Sequence, residues 1–350
     1  NRDFSRLPQK SFVARSGRKD TVLDITSLYY FSELAKDLHM TRTANRLFIS
    51  QQTLSNHIQR LEEYYGTQLF YRKPTLSLTS AGEFVLAFAN IVIKEETNLK
   101  DILSDIEQQE RGVLRFGASS LRINACLPGI LPQFSQKYPH VEMRITEALS
   151  AKLLPMVLNG ELDFAVMLKT DPSAKLVFHD LMKDVTYFCI RDDLLRQYYG
   201  DQTEAFKEKA LHGLDLLEIS PRVPFCLLDN GVGRTIQGYL DDSSIRPTVY
   251  ATSSDIEVAY SICCNGLAGS FISQMRLARH QGHIPEDVNI FPLLYRGKPI
   301  YQHMVLARHK DRYLSHYAKY FLDLLFQFFA ETEEKHMGHK APPHKPARTE

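Results

Sequence analysis

Apolar residues recur every three or four positions from about residue 28 to residue 61, which predicts three consecutive helices. Only Phe48 and Ile49 are available to connect the second helix to the third, so the turn between them is tight. Ser50 follows and can cap the third helix by accepting a hydrogen bond from the backbone N–H of Gln52 or Thr53. The apolar positions predicted to pack the three helices together are Leu28, Tyr29, Phe31, Leu34, Ala35, Leu38, Ala44, Leu47, Leu54, Ile58 and Leu61.

The outward face of the third helix is polar but almost uncharged. It carries amides, hydroxyls and a single arginine, and no carboxylate occurs before Glu62. Amide and hydroxyl side chains at the start of a helix can read base edges in the major groove of DNA. An ordinary helical hairpin with a polar surface is the alternative. The candidate DNA-contacting residues on this face are Gln51, Gln52, Thr53, Ser55, Asn56 and Gln59.

The segment after this helix reads as a small β-ribbon. Gly66 suits the end of the helix, and two short apolar runs then flank a basic turn, Arg72-Lys73-Pro74. The sequence therefore predicts a winged helix-turn-helix over residues 23–79. Arg72 and Lys73 at the wing tip suit phosphate or minor-groove contacts, although solvated surface charge explains either one equally well.

This region resembles the N-terminal domain of LysR-type transcriptional regulators. Two departures affect the expected operator preference: Gln52 replaces a common proline, and Asn56 stands where a basic residue is frequent. The resemblance implies DNA contacts from Gln51, Gln52, Ser55 and Asn56, with Arg72 on the wing. The residues on the family pattern are Ala44, Leu47, Ser50, Gln51, Leu54, Ser55, Ile58, Leu61, Glu62, Gly66, Leu69, Phe70, Arg72, Leu78, Thr79, Ala81 and Gly82.

Residues 80–111 are predicted to form one long linker helix on the order of 40 Å in length. Its apolar stripe is too long to be buried by a small winged domain, so the helix needs a partner. The resemblance implies antiparallel pairing with the same helix of a second subunit, in a homodimer or homotetramer. The predicted dimerisation residues are Phe84, Phe88, Ile91, Leu99 and Ile102.

From Gly112 onward, strand-like and helix-like segments alternate, which favours parallel α/β sheets. More than 200 residues fit two lobes better than one. The runs GVLRFGAS, GELDFAV and NGLAGSFIS extend the family resemblance, which implies a two-lobed effector domain similar to periplasmic binding proteins. The expected fold is thus an α+β winged helix-turn-helix domain, a linker helix and an α/β effector domain. Its boundaries are 112–330 for the domain, about 112–182 and 272–330 for lobe I, and about 183–271 for lobe II.

Small hydroxyl and amide residues follow several predicted strands. In open α/β sheets, ligands bind beyond the carboxyl ends of strands, where helix N-termini offer free N–H groups to anions. Each of these residues could equally be a helix cap that needs no ligand. Arg122 and Arg234 lie near the same loops and could neutralise a carboxylate, although a solvated loop cation is the commoner explanation. The candidate effector contacts are Ser119, Ser120, Ser150, Asn230 and Ser253.

Composition narrows the class of protein further. The net charge of +1 over 350 residues excludes a globally basic nucleic-acid binder, so DNA affinity must come from local charge placement and oligomerisation. The five cysteines include no C-x-x-C pair and are expected to be reduced core thiols, with a peroxide-sensing pair as the alternative. Residues 1–22 form a basic extension, expected to be flexible, and residues 331–350 a disordered tail.

The expected function is a cytoplasmic, DNA-binding transcriptional regulator that responds to a small polar or anionic effector. Neither a membrane span nor a signal peptide is recognisable, so no membrane partner is expected. No nucleophile elbow, zinc-protease motif or phosphate-binding loop is present, which disfavours an enzyme; no catalytic residue, cofactor or metal is predicted. A binding protein of transporter type and a constitutive architectural DNA binder are the weaker alternatives.

Overall fold

The computed structural model describes residues 23–107, 111–171, 173–335 and 337, and the chain divides into two compact units between Leu99 and Lys100. The extension predicted for residues 1–22 lies outside the described residues. None of the helices within the described ranges is both long and apolar enough to cross a lipid bilayer.

The first unit contains the predicted winged helix-turn-helix. Asp24 caps its first helix by accepting from the N–H groups of Thr26 and Ser27, and Ser50 caps the third by accepting from Thr53. Gly66 ends the third helix with φ 67°, a left-handed conformation that glycine adopts without strain. The elements are α1 (Ile25–Asp37), α2 (Met40–Arg46), α3 (Gln51–Tyr65), β1 (Phe70–Tyr71) and β2 (Ser77–Leu78), and the two strands pair antiparallel.

The inward stripe predicted from the sequence forms the core of this unit. Leu28, Phe31, Leu34 and Leu54 are fully buried, because the three helices cross with these positions facing one another. Leu47 is only half-buried, and Tyr29 and Leu38 are exposed, so those parts of the predicted stripe are wrong. The predicted triple-helical core and two-stranded wing are confirmed.

The linker helix α4 spans Ser80–Ile106, so its 27 residues extend for about 40 Å. It ends before the predicted boundary at residue 111, and residues 108–110 lie outside the described part of the chain. From Lys100 onward α4 belongs to the second unit, where its end is tied to the α/β region by buried charges. Arg312 donates to Asp163 Oδ1 and to Asp101 Oδ2, both at 2.7 Å, and Tyr317 donates to Asp101 Oδ1 at 2.9 Å.

Lobe I is built around a sheet whose core includes Phe116, Phe164 and Leu306, covered by helices that bury Phe134 and Phe321. Its strands run in the order β4-β3-β5-β13-β6. The elements are β3 (Gly112–Ala118), α5 (Ser120–Lys137), β4 (Val141–Glu147), α6 (Ser150–Leu158), β5 (Phe164–Leu168), the first part of β6 (Leu176–Arg191), β13 (Tyr301–His309) and α12 (His316–Glu334).

Lobe II continues the same sheet order as β6-β10-β8-β9, with β11 on the other edge of β6. Two helices, α7 and α8, follow β6, and Gly200 (φ 54°) separates them. The elements are α7 (Asp192–Tyr199), α8 (Thr203–Ala210), β7 (Leu214–Asp215), β8 (Pro224–Leu228), α9 (Gly231–Asp242), β9 (Thr248–Ser253), α10 (Ile256–Cys264), β10 (Gly269–Ser273), α11 (Gln274–Arg279), β11 (Val288–Tyr295) and β12 (Lys298–Pro299).

Strand β6 joins the lobes. Residues 176–185 pair with β13 of lobe I, whereas 186–191 pair with β10 and β11 of lobe II, so the chain crosses near Asp184 and Val185. It crosses back between Ile300 and Tyr301, where β13 begins. The sheets are mixed rather than parallel throughout, since every pairing of β6 is antiparallel.

Two predicted boundaries in this region differ from the structure. Residues 272–300 were assigned to lobe I, but β11 pairs with the lobe II half of β6. The tail predicted to be disordered from residue 331 begins instead as the last turn of α12, which ends at Glu334. The apolar spacing of α12 fades after Phe329, so the periodicity could not predict the final helical turn.

Candidate DNA-binding and effector sites

The face of α3 that was predicted to contact DNA is exposed. Gln51, Gln52, Thr53, Asn56 and Gln59 are all exposed, and Ser55 is half-buried. These side chains stand on a helix whose opposite face is locked into the core by Leu54, Ile58 and Leu61, so their positions are well defined.

Hydrogen bonds orient several of these amides in the free protein. Gln52 Nε2 donates to Asn56 Oδ1 at 2.9 Å, one turn along the helix, and Thr41 Oγ1 donates to Gln51 Oε1 at 3.2 Å. Gln59 Nε2 donates to Glu63 Oε1 at 2.8 Å. The Gln52–Asn56 pair presents a linked row of amide donors and acceptors, the chemistry that discriminates base edges.

The wing arginine has a structural partner that the sequence did not predict. Arg72 Nη2 donates to Glu62 Oε2 at 3.0 Å, and the side chain is still 60% exposed. The other carboxylate oxygen of Glu62 accepts from the N–H groups of Leu69 and Phe70. Glu62 therefore binds both the backbone at the base of the wing and the side chain of Arg72. Lys73, the other cation of the wing, is exposed.

The predicted dimerisation stripe lies largely uncovered on α4. Phe84 is 80% exposed, Ile91 57% and Leu99 54%, while Phe88 is 42% exposed and Ile102 half-buried. These apolar side chains recur at helical spacing over about 27 Å of the helix, and exposed apolar surface of this kind marks an interaction surface.

The candidate effector residues lie at the starts of helices on both lobes. Ser119 is half-buried at the N-cap of α5, and Ser120 is exposed and accepts from Asn124. Ser150 begins α6, and its hydroxyl accepts from the backbone N–H of Leu168 at 3.1 Å. Asn230 caps α9 by accepting from Gly233.

Ser253 differs from the other four candidates. It ends the edge strand β9, and its hydroxyl exchanges hydrogen bonds with the backbone N–H and C=O of Asp255, both at 3.1 Å. The carboxylate of Asp255 in turn caps α10. The Ser253 hydroxyl therefore serves a local turn, and Asp255 rather than Ser253 is the cap of α10.

The starts of α5 and α9 approach the same stretch of β13 from opposite lobes. A Cβ added to Gly231, the first residue of α9, would lie 2.6 Å from Gln302 Nε2 and 3.4 Å from a methyl of Leu168. Arg122, in the first turn of α5, reaches Met304 Sδ at 3.2 Å. Gln302 and Met304 are two residues apart on one strand, so they share a face.

Arg122 is the most unusual side chain at these helix starts. Arg122 is only 7% exposed, and its Nη1 donates to Ser119 Oγ at 3.2 Å. Burial lowers the pKa of its guanidinium, and the nearby Asp184 carboxylate offsets this only in part. No carboxylate among the described residues forms an ion pair with it, although buried arginines are normally paired.

Two further buried polar residues lie on β6 near the crossing between the lobes, and the sequence did not mark them. Burial raises the pKa of Asp184 to about 6, and its Oδ1 accepts from the N–H of Met275 at the start of α11. Thr186, two residues further on the same face of β6, is 1% exposed, and its Oγ1 has no hydrogen-bond partner in the described chain. Both lie inside a strand, where the sequence carries no loop or cap signal that would mark them.

The five cysteines are free thiols, and burial raises the pKa of each. A raised pKa leaves little of the reactive thiolate at neutral pH, which favours the expected core role. Within the described ranges, no three His, Cys, Asp or Glu side chains are grouped as a metal site.

Comparisons with known proteins agree with this architecture. The family described as "Bacterial regulatory helix-turn-helix protein, lysR family" matches residues 25–83, and "LysR substrate binding domain" matches residues 107–330. An uncharacterised HTH-type transcriptional regulator of Bacillus subtilis, YcgK, is 27% identical over 331 residues, covering 91% of this chain and 99% of its own. The HTH-type transcriptional activator IlvY of Salmonella typhimurium is 28% identical over 258 residues, covering 73% and 84%.

Solved structures share the fold at low sequence identity. A full-length OxyR variant from Pseudomonas aeruginosa superposes with a TM-score of 0.62 at 21% identity, covering 88% of this chain and 95% of its own. Full-length CbnR complexed with its target DNA gives 0.53 at 18% identity, covering 87% and 100%. The chain belongs to the LysR family of bacterial transcriptional regulators.

Proposed function

We propose that this regulator reads its promoter through the amide face of α3, assembles through α4, and responds to an anionic effector held between the two lobes. The exposed row of Gln51, Gln52 and Asn56 on a rigid helix supports the first part. The single observation that carries the last part is Arg122, a buried cation without an ion-pair partner in the described chain.

The proposed effector site uses groups from both lobes. The N-termini of α5 and α9 provide backbone N–H groups and positive dipole ends, which favour an anion. Arg122 provides a full positive charge, and the Thr186 hydroxyl provides a hydrogen-bonding group that is otherwise unused. A carboxylate is the simplest group that would satisfy all three, since Arg binds it through two parallel N–H···O bonds.

Effector binding would then act by population shift. A ligand that contacts both lobes binds the closed arrangement more tightly than the open one, and only this difference in affinity can change the output. Because α4 is joined to lobe I through Arg312 and Asp101, a change in the lobes has a direct route into the linker helix. The exposed stripe of α4 supports assembly into at least a dimer.

The DNA part is tested by fluorescence anisotropy with a duplex from the promoter next to the gene and with a scrambled duplex at one salt concentration. Asn56→Ala and Gln51→Ala should each lose about 1–3 kcal/mol on the promoter duplex and much less on the scrambled one. Gln237→Ala, an amide of α9 that bonds Asp241, is the matched control and should change neither affinity. Equal losses on both duplexes would assign these amides to phosphate positioning.

The effector part is tested by thermal shift of the full-length protein with a panel of small mono- and dicarboxylates. A carboxylate that binds the cleft should raise the melting temperature of the wild type, because it binds only the folded state. Arg122→Met should abolish that rise, whereas Arg144→Met, which changes an exposed arginine on β4, should retain it. An unchanged rise in Arg122→Met would exclude the proposed site.

A further inference from the structure

Gln302 lies where the two lobes meet. It is the second residue of β13, which begins directly after the chain returns to lobe I, and its side chain is half-buried. Its Nε2 reaches the start of helix α9 in lobe II, since a Cβ added to Gly231 would lie only 2.6 Å from this nitrogen. Gln302 is therefore a side chain of one lobe that contacts a helix of the other.

The polar groups at this contact include several hydrogen-bond donors. The first N–H groups of a helix have no partner inside the helix. At α9, Asn230 Oδ1 accepts from Gly233, but the N–H groups of Gly231 and Val232 have no partner in the described chain. The Gln302 amide forms no hydrogen bond with any described residue either. A ligand that accepts hydrogen bonds would satisfy these donors together, and a carboxylate is the strongest such acceptor.

A cation lies a short distance along the same strand. Met304 follows Gln302 by two residues on β13, so their Cα atoms are about 7 Å apart and their side chains share a face. Arg122, in the first turn of α5, has its Nε 3.2 Å from Met304 Sδ. This stretch of β13 thus has donors at both ends, Arg122 with the start of α5 at one and the Gln302 amide with the start of α9 at the other.

We propose that Gln302 and the start of α9 bind a second carboxylate of the effector, which is therefore an aliphatic dicarboxylate whose first carboxylate is bound by Arg122. The inference rests on the proposed effector site and adds a second position to it. Leu168, a methyl of which lies beside Gly231, offers apolar surface to the methylene groups in between. A monocarboxylate of the same length would place a methyl group against unpaired donors, which is unfavourable, so Gln302 discriminates between the two classes.

Isothermal titration of the full-length protein tests the proposal. The ligands are malonate, succinate, glutarate and adipate, each compared with the straight-chain monocarboxylate of the same carbon number. In the wild type, at least one dicarboxylate should bind about tenfold more tightly than its matched monocarboxylate, because only the dicarboxylate accepts hydrogen bonds at the second position.

The outcomes separate this inference from the proposed function on which it rests. Equal affinities within every pair of acids would overturn the second position while leaving a carboxylate site at Arg122. Binding of none of the acids would overturn the carboxylate site and the inference together.

Gln302→Glu changes the charge of the second position and keeps its size. The new carboxylate repels the second carboxylate of the ligand, so the affinity for the dicarboxylate should fall at least about tenfold, whereas that for the monocarboxylate should not fall. Gln133→Glu puts the same charge on an exposed position of α5 and should keep the wild-type preference. A preference that survives in Gln302→Glu would overturn the proposal.

Gly231→Ala tests the same contact without changing Gln302. The added Cβ would lie 2.6 Å from Gln302 Nε2, so this flexible amide must move away and the preference for the dicarboxylate should be lost. Gly238→Ala, on the same helix with no atom within 4 Å of the added Cβ, is the matched control and should keep the preference. Equal losses of affinity for both acids in Gly231→Ala and Gln302→Glu would show that Gln302 only supports the fold, and would also overturn the proposal.

Discussion

At the scale of single residues, the polar groups of the candidate sites fall into two kinds. Some are exposed on the surface, and others are buried with few hydrogen-bond or ion-pair partners. The amides of α3 are exposed and oriented by one another, whereas Arg122, Thr186 and Asp184 are buried around the interlobe crossing. Burying polar groups costs free energy unless they gain partners, so these three residues mark the place where a ligand has most to contribute.

Asp184 should make stability depend on pH in an unusual direction. The folded protein holds this proton up to about pH 6, whereas the unfolded chain releases it near 3.8, so the folded state binds more protons between these values. The contribution of Asp184 to stability therefore falls as pH rises through that window. The free energy of unfolding of the wild type, minus that of Asp184→Asn, should fall by up to about 3 kcal/mol between about pH 4 and pH 6.5.

Urea titrations at a series of pH values measure this difference. Asp242→Asn, which changes an exposed carboxylate of α9, provides the reference variant. A wild-type minus Asp184→Asn difference that stays constant with pH would show that Asp184 is ionised throughout.

The two wing cations should contribute unequally to DNA affinity. Each phosphate neutralised by a cation adds about 0.9 to the slope of log affinity against log salt. Lys73→Ala should therefore lower the slope by about 0.9, whereas Arg72→Ala should lower it less, since Glu62 already neutralises part of the Arg72 charge. Anisotropy titrations from low to high salt provide both slopes, and equal decreases would show that Arg72 leaves Glu62 for phosphate.

At the scale of elements, the parts of the chain that depend on local pattern were predicted best. The helices of the winged domain follow from apolar spacing, a cap at Ser50 and a terminator at Gly66. Strand β6 runs over 16 residues, but its longest uninterrupted apolar run covers only residues 187–190. Its first half carries Asp180, Lys183 and Asp184, and it becomes a strand through pairing with the distant β13. Gln302 and Thr186 lie on strands that form through such nonlocal pairing, so the sequence did not mark them as candidate site residues.

The exposed stripe of α4 should be needed for assembly. Phe88→Lys combined with Ile91→Lys puts two charges into an apolar surface, and we expect monomers or aggregates because desolvating those charges in an interface is costly. Glu83→Lys produces the same change in net charge on the exposed first turn of α4 and should keep the wild-type oligomer. Light scattering coupled to size-exclusion chromatography measures the mass of each, and an unaltered mass in the double variant would remove this stripe from the interface.

At the scale of the whole molecule, the α/β region is one unit that includes the end of the linker helix. Arg312 is 6% exposed and lies between Asp101 of α4 and Asp163 of lobe I. Burial raises the pKa of Asp101, while Arg312 counteracts the shift. The linker helix is therefore attached to lobe I by a buried cluster of three charged side chains, in which Arg312 stabilises the carboxylates of Asp101 and Asp163.

Removing the shared cation should be costly. Arg312→Met leaves two buried carboxylates without it, and we expect a loss of about 3–5 kcal/mol in the free energy of unfolding. Arg144→Met breaks an exposed pair with Glu142 and should cost less than about 1 kcal/mol. Chemical denaturation near neutral pH measures both, and the deficit of Arg312→Met should shrink on acidification as Asp101 takes up a proton. A deficit as small as that of Arg144→Met would show that solvent reaches the cluster.

The distribution of thiols gives the molecule an internal reporter of opening. All five cysteines lie at or beyond residue 126, so the winged domain and α4 carry none. Cys126 is buried in lobe I, and Cys189, Cys226 and Cys263 are buried in the core of lobe II. A thiol-reactive reagent can modify each only when its own lobe opens, so mass-resolved labelling rates would time the opening of the two lobes separately in native, unlabelled protein.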